Sequence, residues 1–255
     1  MGGDSLMAKR KRTVIIDGDI PLYSVAFSVE SPVDWGDDFW TLHADMGEAR
    51  DSMMIWVDKV AAATKATDIL IALSSSPNWR REDLAGDYKA NRDGKRKPVV
   101  FNPLRDFIRQ RWECVELPRL EADDVLGLMA TKSNVIASAD KDLLSVPCNY
   151  FNPNAPEDGV TKISYEQAYL AHMIQTLMGD STDNYKGCPV VVPVVAKRLL
   201  ANKDPKEYWD IVVAQFEKAG QTCDDALLQA RLAHILWPGE YDKTTQEIKL
   251  WCPPV

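Results

Sequence analysis

Short apolar runs that stop on carboxylates are the feature that most constrains how this chain folds. Thr13–Ile16 runs into Asp17, the stretch 117–120 leads into Glu121, Asp123 and Asp124, and residues 135–139 run into Asp140 and Asp142. A helical stretch ending at Met178 is followed by Asp180 and Asp183. Runs of β-branched residues alternate with stretches of helical spacing, which predicts a mostly parallel sheet with flanking helices. In such a sheet the carboxyl ends of the strands face the binding crevice, so these acids are expected in one place. Carboxylates crowded together repel one another and cannot all ionise unaided. Carboxylate oxygen with water suits Mg²⁺, with Mn²⁺ as a substitute, and a site of that kind suits hydrolysis of a phosphodiester.

Along the chain, strands are expected at 13–16, 69–73, 114–117 and 134–139. Helices are expected at 20–29, 45–66, 101–112 and 123–132, with an irregular or short extended piece at 35–42. After about residue 164 the character changes. Residues 165–178, 195–201, 208–219 and 224–236 all have helical spacing, and 247–251 has the pattern of a short strand. The expected organisation is an α/β core over 13–163 and a helical part over 164–255.

The formal net charge of -8 argues against a simple electrostatic DNA binder, but bound cations would reverse the local field. Basic residues also cluster between 79 and 97, where Trp79, Arg80, Arg81, Tyr88, Lys89, Arg92, Lys95, Arg96 and Lys97 stand together. Basic residues offset phosphate charge and aromatics stack on unpaired bases. A solvated surface helix is the plain alternative, and helix capping is the plain alternative for Asp17, Asp123, Asp180 and Asp183. The five cysteines, without a CxxC pair, read as reduced thiols of a cytoplasmic protein. The three histidines form no zinc set. The N-terminus lacks the apolar core of a signal peptide, and Leu6 breaks the myristoylation pattern that Gly2 begins. No run approaches the length of a membrane span.

The motifs IIDGD (15–19), YKANR (88–92), EADDVLG (121–127), SADKDL (138–143) and GDSTDN (179–184) occur in the order seen in the 5′ nucleases. The chain resembles that superfamily over roughly residues 13–252. NWRR at 78–81 and EIKLW at 247–251 give it the look of the small bacteriophage 5′→3′ exonucleases. The resemblance implies a PIN-like nuclease fold with a helical arch at about 77–97 and a helix–hairpin–helix segment at about 179–200. It implies that Asp17, Glu121, Asp123, Asp124, Asp140, Asp142, Asp180 and Asp183 are metal-site carboxylates. Lys89 and Arg92 would contact the scissile phosphate, and Tyr88 would stack. Trp79, Arg80, Arg81, Lys95, Arg96, Lys97, Lys186 and Lys197 would meet DNA. The implied activity is metal-dependent 5′→3′ exonuclease action, with flap cleavage and primer removal beside it. The implied partners are DNA with a free 5′ end, nicked or flapped duplex and RNA–DNA hybrid, taken by a monomer.

Two departures stand out. Ser75 takes the place of an aspartate that the family carries after the strand at 69–73. Val190 and Val192 stand where a Gly-x-Gly turn holds DNA phosphate and often K⁺, which argues against K⁺ here. A β-branched residue at positive φ is an outlier, so that turn must be reshaped or strained. Val194 also replaces a lysine common in relatives. These departures leave open a weakened relative that binds branched DNA without cutting. A PIN-like ribonuclease fits the YKANR segment and the helical second half less well. A calcium loop fails for want of its glycine and final glutamate.

Overall fold

The computed structural model describes residues 11–254, and the N-terminal features read from the sequence, Gly2 included, lie outside them. The elements run β1 (Thr13–Asp17), α1 (Asp19–Ser28), β2 (Glu30–Asp34), β3 (Trp40–Ala44), α2 (Met46–Thr64), β4 (Asp68–Ala72), α3 (Trp79–Asp83), α4 (Phe101–Arg111), β5 (Glu113–Val115), α5 (Ala122–Met129), β6 (Val135–Ala137), β7 (Asn149–Phe151) and β8 (Val160–Lys162). The helices α6 (Tyr165–Met178), α7 (Pro193–Leu200), α8 (Tyr208–Lys218) and α9 (Cys223–Ala233) follow. Local chemistry sets several boundaries. Asp45 caps α2 by accepting from the Glu48 N–H at 2.8 Å, and α2 ends on Lys65 in the left-handed region. Ser164 and Gln167 form a capping box at α6, as Thr222 and Asp225 do at α9.

The main sheet has the order β5-β4-β1-β6-β7-β8, parallel throughout except for β8. From β1 the chain moves outward to β4 and β5, and later returns to the other side of β1 as β6 and β7. The order therefore reverses between β1 and β6, and a crevice opens at their carboxyl ends. Along β1, Val14 and Ile16 join the core under α1, α2 and α4, while Ile15 joins the core under α5. Burial on both faces explains why the strand reads as a continuous apolar run. Ile235 and Leu236, just beyond α9, lie in that second core beside Ile15 and Ile136. A third core lies among α6, α7, α8 and α9.

The structure departs from expectation in a few places. The piece at 35–42 is the turn and returning strand of the β2–β3 hairpin, whose tip exposes Trp35, Phe39 and Trp40. The strands β7 and β8 are three residues each, too short to register as a pattern. The segment 247–251 contributes only an isolated bridge between Ile248 and Tyr241. The expected arch is one short helix, α3, followed by turns and a single 3₁₀ turn at Ala90–Arg92. Val190 and Val192 are unstrained, neither being among the residues at positive φ. In the loop that precedes the valines, Gly179 (φ 66°) and Gly187 (φ 62°) press their backbones together. A Cβ on Gly179 would lie 2.4 Å from the Lys186 carbonyl carbon, and one on Gly187 would lie 2.3 Å from the Gly179 nitrogen. No helix among the described residues is long and apolar enough to cross a membrane.

Candidate active site

Asp17 ends β1 and is 3% exposed. It accepts from the Ser138 hydroxyl at 2.7 Å and from the Asp19 N–H at 3.1 Å. Ser138 follows β6 and accepts in turn from the Asp140 N–H at 3.0 Å, so one hydroxyl ties the two strand ends across the switch point. Asp140 caps the next 3₁₀ turn by accepting from the Asp142 N–H at 2.8 Å. Glu121 holds the N-cap position of α5 without capping it, which frees its side chain for the crevice. Asp123 stands in the first turn of the same helix. Asp180 and Asp183 enter from the turn built on the glycine pair, where Asp180 accepts from the Thr182 N–H at 2.6 Å.

Seven of the eight carboxylates assigned by resemblance line one cavity of about 920 Å³: Asp17, Glu121, Asp123, Asp140, Asp142, Asp180 and Asp183. Asp124 does not. It is fully buried and accepts from Arg80 at 2.7 and 2.8 Å, from the Trp79 indole at 2.9 Å and from the Leu236 N–H at 3.2 Å. The expectations for Trp79 and Arg80 are corrected for the same reason. Both are buried, with no surface to offer DNA, because the indole N–H and the guanidinium need Asp124 as their partner. Arg80 also donates to Glu121, to the Leu232 carbonyl and to that of His234.

Tyr88 is likewise buried, which corrects its expected role as a base-stacking residue. Its hydroxyl lies 3.0 Å from Asp183 and 3.2 Å from Glu121 and shares its one proton between them, so it bridges two carboxylates. Lys89 takes a left-handed backbone and pairs with Glu121 and, at 3.2 Å, with Asp183. Arg92 reaches Asp183 at 2.6 Å. Both stand at the cavity, although Lys89 itself is outside any helix. Arg81 is exposed but paired with Asp93 at 2.5 Å, and Arg96 is paired with Glu30 at 2.7 Å. Lys95, Lys97, Lys186 and Lys197 are exposed.

Ser75 does not face this cavity. It lines a separate hollow with Arg105, Arg109 and Glu116, while Ser74 faces the carboxylates and accepts from the Ala122 N–H at 2.8 Å. Beside Ser74 stands Asp19, an acid that sequence reasoning quoted within its motif and did not assign. The Asp19 carboxylate accepts from the Ser74 N–H at 3.4 Å and lines the cavity. Its signal was its position two residues after Asp17, which also fits the first turn of a helix. Beyond Asp19 on the same helix, Ile20, Tyr23 and Phe27 of α1 add an apolar stretch to the lining that the sequence did not distinguish from core.

The electrostatics divide the cavity in two. Burial disfavours the charge on Glu121, but Lys89 and Arg80 outweigh it and hold the carboxyl down at about 2. On the other side, burial and then the charge of Asp19 push Asp17 up to about 7. Burial and Asp140 do the same to Asp142, also to about 7. Asp123 is raised well above its usual value by burial, Asp17 and Asp140. Lys89 and Arg92 already sit on Glu121 and Asp183, so full ionisation of Asp17, Asp123 and Asp142 would leave excess negative charge on their side. A divalent cation would relieve that charge, and the donor set is all oxygen, as a hard ion prefers. Among the described residues no three acids converge tightly enough to share an ion directly, so water would complete its shell.

The raised groups have a consequence for stability. Between about pH 4 and 7 the folded protein holds protons on Asp17 and Asp142 that the unfolded chain has released. Stability at these groups is therefore lost as pH rises through about 7. Glu121 acts in the opposite sense, but only below its ordinary 4.5. The Tm of chelator-treated protein is expected to be higher at pH 6 than at pH 8, and millimolar Mg²⁺ should remove the difference. Equal Tm values without metal would show that the acids are not crowded.

The family model described as "5′-3′ exonuclease, N-terminal resolvase-like domain" matches residues 12–169. The exonuclease of Escherichia phage T7 is 28% identical, the match covering 95% of this chain and 94% of that protein. The exodeoxyribonuclease of Enterobacteria phage T3 is 29% identical, over 95% of this chain and 93% of that one. Among solved structures, the flap endonuclease of bacteriophage T5, in a complex with DNA and metal ions, superimposes with a TM-score of 0.53 at 12% identity, over 86% of this chain and 99% of that one.

Proposed function

The chain belongs to the 5′-3′ exonuclease family of phosphodiester hydrolases, and on that premise we propose that it is a divalent-metal-dependent nuclease that cuts DNA from a free 5′ end, flapped ends included. The observation that carries this reading is the convergence of seven assigned carboxylates and Asp19 on one cavity with Lys89 and Arg92 beside them. The metal-bound relative's fold supports it.

Bound divalent cations would supply an activated water and charge stabilisation at the phosphate. Asp17, Asp123, Asp140 and Asp142 hold the side of the cavity that accepts cations. Lys89 and Arg92 neutralise charge that develops on the phosphate oxygens. Glu121 and Asp183 keep those two cations in place before DNA arrives, and Tyr88 keeps Glu121 and Asp183 oriented. The ends of β1 and β6 hold their acids in register through Ser138, so the site is preorganised rather than assembled on binding. The carboxylate cavity lies recessed at the strand ends. A 5′ nucleotide must leave its duplex to reach it, at a cost of a few kcal/mol.

The alternative, a form that binds branched DNA without cutting, drew on Ser75, Val190 and Val192; Ser75 lies outside the cavity, and Ser74, which lines it, is no carboxylate. The test uses 5′-labelled blunt, nicked, flapped and RNA-primed duplexes with Mg²⁺, with Mn²⁺ and with EDTA. Cleavage from the 5′ end is expected with either metal and none with EDTA. Metal-independent cleavage would remove the mechanism, and tight binding without product at any metal concentration would restore the binding-only form.

A further inference from the structure

The wall of the cavity formed by α1 carries chemistry that phosphate hydrolysis does not use. Ile20, Tyr23 and Phe27 project from one face of α1 at helical spacing, and all three line the cavity. They are 37%, 39% and 47% exposed, an unusual run of solvent-facing apolar side chains beside a bed of carboxylates. Tyr23 and Phe27 lie side by side, with ring centroids 6.5 Å apart and planes 24° apart. Phe101 packs against Tyr23 at 4.5 Å and fixes that ring from behind.

Phe27 has its own cation. The Arg96 guanidinium lies 5.7 Å from the ring centroid. It is fixed there by two hydrogen bonds of 2.7 Å to Glu30, whose carboxylate also accepts from the Val99 N–H at 2.6 Å. The Glu30 side chain is only 7% exposed, so the fork of Arg96 is anchored by a buried partner and its remaining donors stay at the surface. An aromatic face with a fixed guanidinium beside it suits an unpaired base and the phosphate that follows it.

We propose that Phe27 and Arg96 form a base-stacking subsite at the rim of the cavity, which takes one of the unpaired bases next to the 5′ end that reaches the carboxylates. The ligand class is single-stranded nucleic acid of any sequence, because every base has a π face. The subsite makes a 5′ end with two unpaired nucleotides a better substrate than a blunt end. This inference rests on the nuclease reading above.

The experiment compares wild type, Phe27→Ala, Phe27→Trp and Arg96→Gln on a blunt duplex and on the same duplex with a two-nucleotide 5′ overhang. In parallel, 2-aminopurine is placed at either unpaired position, with Ca²⁺ in place of Mg²⁺, and its quenching on binding is read. Phe27→Ala should lower the overhang-to-blunt cleavage ratio about tenfold and abolish quenching at one position while sparing the other. Phe27→Trp should keep both properties, and Arg96→Gln should weaken overhang binding. An unchanged ratio and unchanged quenching in Phe27→Ala would overturn the subsite, as would an equal loss on both substrates and at both positions. Failure of the wild type to cut any substrate would instead sink the nuclease reading.

Discussion

Replacing Lys89 by Ala is expected to lower kcat on 5′-labelled duplex by about 10²–10³-fold while KM changes far less. The reasoning starts from where the ammonium sits. It is 17% exposed, paired with Glu121 and Asp183, and held by a backbone N–H that donates to the Asp183 carbonyl at 2.9 Å. Burial works against its charge, yet Glu121 and Asp183 outweigh burial and its pKa is raised. A cation kept charged and largely desolvated is worth more to a developing phosphate charge than one in water. Arg92 is 48% exposed and better screened, so its loss should matter less. Single-turnover cleavage across a range of DNA concentrations separates the two constants. A loss confined to KM would mean that Lys89 only holds DNA.

Replacing Arg80 by Ala is expected to destabilise the protein by about 3–5 kcal/mol, because it leaves the Asp124 carboxylate buried without its counter-charge. For a chain of this size that corresponds to a fall in Tm on the order of 10 °C. Asp124→Asn should act in the same direction, since the guanidinium is then left buried with weaker partners. The loss extends beyond one ion pair, because Arg80 also donates to the Leu232 and His234 carbonyls and to Glu121. Thermal unfolding followed by circular dichroism measures it. A fall of less than about 2 °C would show that the network adds little.

The two cases also show what was legible in the sequence. The sheet, most of the helices and the carboxylate cluster followed from where apolar runs stop, because strand ends at a switch point must share one crevice. The three-residue strands β7 and β8 were not legible, since burial there depends on neighbours far along the chain. Within the basic segment, composition cannot tell a cation that meets solvent from one that meets a buried acid. Arg80 and Arg81 are adjacent, yet one is sealed against Asp124 and the other pairs with Asp93 at the surface. The same ambiguity hid the difference between Asp123 and Asp124, which point from one helix into the cavity and into the core. Ser74 and Ser75 differ in the same way, and only the path of the chain beyond β4 decides which one faces the acids. The valine turn was expected to be reshaped or strained because the resemblance placed glycines there, and Val190 and Val192 take ordinary backbone angles, which leaves the reshaped form.

The placement of Ile235 and Leu236 in the core beside β1 has a consequence for how the protein is made. The Leu236 carbonyl lies so close to Gly127 that a Cβ there would be 2.2 Å from it, and the Leu236 N–H closes the last bond to Asp124. Translation delivers these groups after every cavity-lining acid has left the ribosome. Until they arrive, the helix that carries Glu121 and Asp123 lacks its lid, and Arg80 lacks the carbonyls it grips. The packing of that helix against β1 is therefore completed only once synthesis has passed Leu236.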